Sequence, residues 1–308
     1  MVSPNGNKLR FRVLRRTWPF HVMMLPGLIM LLIFAYIPMG GLVIAFQKFM
    51  PARGLFGDQR FVGFRNFEFV MRLPGFNAAL RNTVVISFWK IITGLIVPVM
   101  VALMLNEMRS NALRRTVQTM VYLPYFLSWV LLSGILIDIL SPSSGIVNQF
   151  LKALGGEERF FLGDNKYFQG TLIATNIWKD FGFGTIVYLA AITSIDPTLY
   201  EASIIDGAGR IRQTWHITLP GMRMIIVLMA VLSLGNVLNA GFDQVYNLYG
   251  PVVYETGDIL DTMVYRMGLL DAQYGPATAV GLFKSVVSLF FISISYLLAY
   301  KLADYRIF

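Results

Sequence analysis

The sequence has 308 residues with a formal net charge of +9, and it is 56% hydrophobic, 14% aromatic and 14% charged. Soluble domains carry about 25% charged residues, so this composition excludes a water-exposed globule, and its many aromatic residues exclude a disordered chain. The chain has no cysteine and only two histidines, His21 and His216, which excludes disulfides, thiolate sites and a histidine-rich metal cluster.

Apolar segments long enough to cross a bilayer recur along the chain. A spanning helix needs about 20 mostly apolar residues. Six segments meet this requirement: 21–45, 82–105, 117–140, 170–192, 222–242 and 277–300. The first segment is too long for a signal peptide and no small-residue cleavage site follows it, so we expect it to be retained. The sequence therefore predicts an all-α polytopic membrane protein with six transmembrane helices in one domain, residues 1–308, whose surroundings are the lipid bilayer.

The basic residues predict the orientation of the spans. Arg15 and Arg16 belong to a dense basic cluster before the first span, and such clusters stay on the cytoplasmic side. We therefore expect both termini in the cytoplasm, although the loop between spans one and two, on the outer side, is also basic. Cytoplasmic loops enriched in Lys and Arg account for the net charge of +9 without a nucleic acid partner.

The inner loop between spans four and five, residues 196–220, carries strong helix signals. Asp196 followed by Pro197 is a favourable helix start, because the carboxylate accepts free backbone N–H groups and proline suits the first helical position. Gly207 fits a left-handed helix stop. The pattern predicts a helix of roughly ten residues, a glycine corner, a second helical piece and a break at Pro220.

Within this loop, the residues from Glu201 to Pro220 resemble the "EAA" loop of binding-protein-dependent ABC importer permeases. That pattern begins Glu-Ala-Ala, has glycine at its seventh position and ends Ile-x-Leu-Pro. The matching residues are Glu201, Ala202, Gly207, Ile217, Leu219 and Pro220, and Ser203 stands where the pattern has its second alanine. The resemblance implies that these residues, together with Asp206, form coupling helices that dock on a cytoplasmic ATPase subunit.

The resemblance extends over most of the chain. Stretches such as Phe34-Ala35-Tyr36-Ile37-Pro38 and Phe126-Leu127-Ser128-Trp129 are similar to the permeases of oligo- and polysaccharides, a branch that includes the alginate importer. The resemblance implies a type I ABC importer permease fold in the bacterial cytoplasmic (inner) membrane. It also implies a second permease subunit, with the branch favouring a paralogue, two ATPase subunits, an external solute-binding protein and an oligo- or polysaccharide substrate.

The chain lacks the Gly-x-x-x-x-Gly-Lys-[Ser/Thr] phosphate loop, so ATP hydrolysis by that route is expected on a separate chain. We therefore expect this polypeptide to be a transport subunit that is not an enzyme and binds no cofactor, with ATP and Mg on the partner ATPases. The alternative is an ion-coupled sugar carrier that acts without an ATPase. Such carriers usually contain inverted repeats and interrupted half-helices, and the sequence has no clear internal symmetry.

Charged residues lie inside the predicted spans, where ionisable groups are costly and usually face protein or a water-filled cavity. Lys90 falls near the middle of the second span, and Lys179 and Asp180 near the middle of the fourth. These charges either line the substrate pathway or join spans through ion pairs. A pathway containing such cations would suit an anionic sugar, such as an alginate-like chain.

Polar residues recur at three- and four-residue spacing along the fifth span and predict one polar stripe on a helix. The stripe comprises Ser233, Asn236, Asn239 or Ala240, Asp243 and Asn247. Amides and a carboxylate suit sugar hydroxyls, which both donate and accept, while hydrogen bonding between packed helices is the alternative. Trp129 and Trp178 offer aromatic faces for sugar rings, although tryptophan also marks membrane interfaces.

Overall fold

The structure, a computed structural model, describes residues 5–55 and 57–303, with side chains for residues 17–55 and 57–297. The two chain ends, to which the prediction of cytoplasmic termini refers, and the side chains of the first basic cluster lie outside this part. Helices dominate it, joined by short turns. In chain order the α-helices are α1 (Asn5–Leu31), α2 (Ile37–Met39), α3 (Arg65–Met71), α4 (Phe76–Asn106), α5 (Asn111–Tyr122), α6 (Trp129–Ile139), α7 (Ile146–Ala153), α8 (Asn165–Thr193), α9 (Pro197–Ile205), α10 (Arg210–Gln213), α11 (Leu219–Leu234), α12 (Phe242–Leu248), α13 (Tyr254–Gly257), α14 (Leu260–Tyr265) and α15 (Tyr274–Ala303).

Shorter pieces of other geometry interrupt or extend these helices. The π-helical turns are Leu32–Tyr36, Thr214–Thr218 and Arg266–Leu270, and the 3₁₀ turns are Gly40–Phe46, Pro51–Arg53, Leu123–Phe126 and Pro251–Val253. Two short antiparallel strands, β1 (Gln47–Lys48) and β2 (Arg60–Phe61), form a hairpin directly after the first span, with Gln47 opposite Phe61.

Four helices are long and apolar enough to cross a membrane: Thr17–Phe46, Phe76–Asn106, Arg210–Leu234 and Tyr274–Leu297. Two further candidates are bent pairs, Asn111–Phe126 with Trp129–Ile139 at 107° and Asn165–Thr193 with Pro197–Ile205 at 67°, so the described residues provide up to six spans. The predicted second, fourth and sixth spans lie inside α4, α8 and α15.

The predicted third span, 117–140, is wrong as one continuous helix. Pro124 lies in the 3₁₀ turn that follows α5, and Leu127 is extended with ψ 136°. Ser128 then caps α6, because its Oγ accepts a hydrogen bond from the backbone N–H of Leu131 at 3.3 Å. A proline and a new N-cap thus replace the expected straight crossing by a sharp bend.

The predicted fifth span, 222–242, is wrong at both ends. The helix ends at Leu234, seven residues before Gly241, whose φ of +89° lies in the left-handed region. At the other end the helix starts at Arg210 rather than breaking at Pro220. Proline lacks a backbone N–H and crowds the preceding turn, and the π-helical turn Thr214–Thr218 immediately before it accommodates both effects, so the helix continues.

The core lies between α4 and α8, which pack along each other, and the elements that cover them. One buried cluster joins α4 and α8 to α6 and α12 and contains Ile86, Leu132, Phe168 and Leu172. Another lies nearer the hairpin 196–220 and joins α4 and α8 to α11 through residues such as Tyr188 and Met222. This frame positions both the hairpin 196–220 and the polar end of α11.

Glycines on α8 permit its close packing, as their place in the span predicts. A Cβ at Gly182 would lie 2.3 Å from the Val121 carbonyl oxygen, and one at Gly184 would lie 2.9 Å from Pro98 Cγ. The same rule for small residues in spans predicts close packing at Gly94 on α4, which is wrong, because a Cβ there would meet nothing within 4 Å. It borders a cavity, described below, rather than a neighbouring helix.

Gly182→Ala is expected to destabilise the folded protein by about 1–3 kcal/mol, because its Cβ can be accommodated only if the α5 backbone moves. The matched control is Gly170→Ala on the same helix, where a Cβ has open space and alanine improves helix propensity. Thermal unfolding in detergent measures the difference. Equal melting temperatures for the two variants would contradict the close approach of α5 and α8.

Candidate functional site

The hairpin 196–220 begins with a capped helix and turns at a left-handed glycine. Asp196 Oδ1 accepts a hydrogen bond from the Thr198 backbone N–H at 2.9 Å, and Pro197 occupies the first turn of α9. Gly207 has φ +73°, and the Ala208 N–H donates back to the Ser203 carbonyl at 2.9 Å. The predicted cap, helix and glycine corner are confirmed.

Side-chain hydrogen bonds fasten the two arms of the hairpin to each other. The hydroxyls of Tyr200 and Thr218 lie 3.0 Å apart, and Gln213 Nε2 donates to Ser203 Oγ at 2.9 Å. An ion pair from Arg210 to Glu107 at the end of α4 ties the corner to the span bundle. The hairpin is therefore a stiff unit that is joined to α4 and runs directly into α11.

The outer surface of the hairpin is apolar and unusually exposed. Ile205 is 87% exposed and Ile211 is 79% exposed, and Ile204 and Trp215 are 64% and 65% exposed. The other predicted coupling residues differ in exposure. Glu201, Ala202, Asp206 and Pro220 are exposed, whereas Ile217 and Leu219 are half-buried at the start of the span. Exposed apolar patches of this kind are typical of protein interaction sites.

Asp196→Ala is expected to fray the first turn of α9, while Asp196→Asn keeps a capping side chain. Hydrogen bonds from the backbone and side chain of Thr198 lower the pKa of the Asp196 carboxyl from its usual value. The carboxylate cap is therefore present above the usual pKa and is lost only as the pH falls through the lowered value.

The rate of backbone amide hydrogen exchange over residues 197–206 tests this prediction. We expect exchange several-fold faster in Asp196→Ala than in the parent at neutral pH, and close to parental exchange in Asp196→Asn. In acid the parent should lose its protection while the asparagine variant does not. Identical exchange in all three proteins would show that Asp196 does not hold the helix start.

A polar cavity of about 310 Å³ opens beside the end of α11. It lies among α4, α6, α8 and the segment that links α11 to α12. Its lining residues are Ser87, Lys90, Ile91, Gly94, Trp129, Asn176, Asp180, Ser233, Asn236, Asn239, Gly241 and Gln244. Most of them carry hydrogen-bonding side chains, which suits a polar ligand with several donors and acceptors.

Lys90 holds the irregular segment between α11 and α12 at the edge of this cavity. Its Nζ donates to the Ala240 carbonyl oxygen at 2.6 Å and to Gln244 Oε1. Gln244 Nε2 in turn donates to the Leu172 carbonyl and to Thr175 Oγ1, both at 2.8 Å. Neither acceptor of Lys90 is a carboxylate.

Asp180 and Asn176 occupy the facing side of the cavity on α8. Asn176 Nδ2 donates to Asp180 Oδ2, as expected for residues four apart on a helix. Lys179 Nζ lies 3.7 Å from Asp180 Oδ1, but it is buried, donates to the Tyr125 carbonyl at 3.0 Å and lies over the Tyr125 and Trp129 rings. Lys179 therefore joins α8 to the bend between α5 and α6.

The cavity brings together five of the predicted pathway residues and leaves three outside its lining. Those that line it are Lys90, Trp129, Asp180, Asn236 and Asn239, whereas Trp178, Lys179 and Asp243 do not. The single helical stripe expected in span five is wrong, because the helix ends at Leu234 and the polar residues beyond it lie in a turn and in α12. Among the described residues, no group of three or more His, Asp or Glu side chains could hold a metal ion.

Sequence reasoning missed Ser87, Asn176 and Gln244. Asn176 could have been found, since it lies one helical turn before Asp180 on the same face. Ser87 lies three residues before Lys90 and carries the same signal. No sequence signal pointed to Gln244, because the non-helical segment that precedes it determines which residues it contacts.

Comparisons with known proteins agree with this architecture. Residues 94–304 match the family model described as the binding-protein-dependent transport system inner membrane component. The polygalacturonan/rhamnogalacturonan transport system permease protein YteP of Bacillus subtilis (strain 168) is 40% identical over 288 residues, which cover 94% of this chain and 89% of that protein.

Two solved structures are also similar along nearly the whole chain. The first is a bacterial ABC transporter involved in the import of the acidic polysaccharide alginate, with a TM-score of 0.87 and 39% identity over 95% of this chain and 98% of that one. The second is a bacterial alginate ABC transporter in complex with an alginate pentasaccharide-bound periplasmic protein, with the same TM-score and identity over 94% and 97%.

Proposed function

Because this chain belongs to the binding-protein-dependent transport system inner membrane components, we propose that it forms half of the membrane channel of an ATP-driven importer of acidic oligo- and polysaccharides. As a member it is a multi-pass membrane permease subunit and not an enzyme. The observation that carries the proposal is the polar cavity. The second arm of the hairpin is the start of the helix Arg210–Leu234, and the cavity lies at the other end of that helix.

The hairpin 196–220 is the proposed docking element for the ATPases. Its exposed isoleucines and Trp215 offer an apolar contact surface to the ATPase. The hydrogen bonds between its two arms keep the hairpin rigid when the ATPase moves it. ATP and Mg bind to the partner ATPase subunits, and closure of that pair moves the hairpins of this chain and of a second permease, a paralogue. The span bundle then rocks between inward- and outward-facing states.

The proposed substrate follows from the chemistry of the cavity. Amide side chains at Asn176, Asn236 and Asn239 can each donate to and accept from sugar hydroxyls. Lys90 adds a positive charge with no carboxylate bonded to it, which suits a uronate carboxylate. Similarity to permeases of galacturonan and alginate transporters supports the same substrate class. An external sugar-binding protein delivers the substrate to the outer face.

The test is to purify the chain from its native membrane in mild detergent, to identify what remains bound, and to measure uptake by the reconstituted assembly. We expect a second multispan protein, an ATPase subunit and ATP-dependent uptake that favours uronate over neutral oligosaccharides. Preference for the neutral sugars would overturn the acidic substrate. Recovery of the chain alone, transporting without ATP, would instead establish the ion-coupled carrier.

A further inference from the structure

Aromatic rings follow one face of α12 from the cavity towards the far end of the molecule. Phe242, Tyr246 and Tyr249 are spaced four and three residues apart, which places them on one side of the helix. Their ring centroids lie 5.3 and 6.3 Å apart, and Tyr254 continues the row at 5.0 Å from Tyr249. We call these four residues the aromatic ladder.

The face of α12 next to the ladder carries an exposed charge. Gln244, Val245 and Leu248 form the buried face of the helix, against α6 and α8. Asp243 is exposed on the opposite face, one turn from Tyr246, which is 39% exposed. A carboxylate is too costly to place against hydrocarbon, so this side borders a polar space.

The ladder begins next to the polar cavity along the chain. Gly241, which lines the cavity, directly precedes Phe242, and the seven residues of α12 extend about 10 Å from that point. Beyond α12, residues 255–258 are held at the first turns of α4 and α8. Asn82 Nδ2 donates to the Glu255 carbonyl and Gln169 Nε2 to the Thr256 carbonyl, both at 2.9 Å.

The rings are held in place without being enclosed. The Tyr246 hydroxyl donates to the Tyr265 hydroxyl at 3.3 Å, and those two rings lie 4.8 Å apart. At the far end, the Arg266 guanidinium lies 4.8 Å from the centre of the Tyr254 ring and forms a two-bond ion pair with Asp258. A fixed ring loses little entropy when a ligand stacks on it.

We infer that the aromatic ladder is a second carbohydrate subsite, which binds the pyranose rings of a chain whose leading residue occupies the cavity. Tyrosine rings offer an apolar face to the C–H groups of a sugar and a hydroxyl at the edge, and the Asp243 carboxylate and Asn247 amide lie alongside for sugar hydroxyls. This subsite rests on the proposed function, and it predicts that substrates long enough to reach the ladder bind more tightly than short ones.

The experiment compares uptake of a uronate hexasaccharide and a uronate disaccharide by the complete assembly in liposomes. For Tyr246→Leu, the hexasaccharide concentration that gives half-maximal uptake should rise about fivefold to tenfold. Uptake of the disaccharide should not change. Tyr246→Phe keeps the ring but loses the hydroxyl that bonds to Tyr265, so its half-maximal concentration should lie between those of the parent and Tyr246→Leu. The matched control Tyr296→Leu, which removes an exposed tyrosine from α15, should behave as the parent.

Unchanged hexasaccharide uptake, or equal loss with both sugars, would overturn the subsite. If the Tyr246→Leu chain does not assemble with its partner subunits, the Tyr246→Trp variant tests the subsite instead. Addition of the hexasaccharide should change its tryptophan emission beyond the change in the parent, and the absence of such a change would overturn the subsite. Failure of the parent itself to take up either sugar with ATP would instead count against the proposed function.

Discussion

Gly207→Pro is expected to reduce ATP-driven uptake to the background level while the chain still inserts into the membrane. Gly207 has φ +73°, which the proline ring cannot adopt. Proline also removes the N–H that bonds to the Ile204 carbonyl at 3.0 Å. The corner between α9 and α10 must then open, which displaces the exposed isoleucines on either side of it. Uptake and ATPase rate measured on the same liposomes test this result, and we expect ATP hydrolysis to continue uncoupled.

A pair of alanine substitutions isolates the backbone effect. Both Gly207 and Gly209 have open space around a Cβ, but only Gly207 is left-handed, and Gly209 has φ −72°. Gly207→Ala should cost about 1–2 kcal/mol of local stability and lower uptake, whereas Gly209→Ala should match the parent. Full uptake by Gly207→Pro would contradict the coupling role of the hairpin.

Lys90→Met should lower uptake of uronate oligosaccharides by at least about tenfold, because it removes a charge-assisted hydrogen bond donor from the cavity. The Ala240 carbonyl and Gln244 Oε1 would also lose their partner. That structural loss should affect neutral and acidic sugars equally, so the ratio of the two uptake rates measures the role of the charge itself.

Two variants serve as controls for Lys90→Met. Arg81→Gln removes one positive charge from an exposed position on the same helix and should leave the ratio of uronate to neutral uptake unchanged. Lys90→Arg keeps the positive charge but places it on a planar guanidinium group with a different arrangement of N–H donors. This variant should retain part of the preference for uronate. Equal losses for both sugar classes in Lys90→Met would assign Lys90 a structural role only.

Much of the fold follows from local sequence signals. Span lengths follow from apolar runs, and the hairpin start and corner follow from Asp196, Pro197 and Gly207, whose preferences act within a few residues. The π-helical turn before Pro220 could not be predicted in this way. From sequence alone, a proline predicts a break in the helix. The alternative is one wider π-helical turn that accommodates the proline ring, and whether it forms depends on how the whole helix packs.

The candidate cavity was only partly accessible from sequence. Lys90 and Asp180 stand out because charges in apolar spans are rare. Which side each faces depends on how α4 and α8 pack, and that is why Lys179 and Asp180, adjacent in sequence, differ in burial. Asn236 and Asn239 reach the cavity from a turn rather than from a helix, so the three- and four-residue spacing selected them for an incorrect reason.

The uninterrupted helix from Arg210 to Leu234 has a mechanical consequence. Its 25 residues form a rod of about 37 Å, and a tilt of about 5° at one end displaces the other by about 3 Å. Ser233 in its last turn and Asn236, two residues past its end, line the cavity. In the proposed mechanism this helix, which packs against α15, α8 and α4, would act as a lever arm, so that a small displacement of the hairpin would change the shape of the proposed sugar cavity.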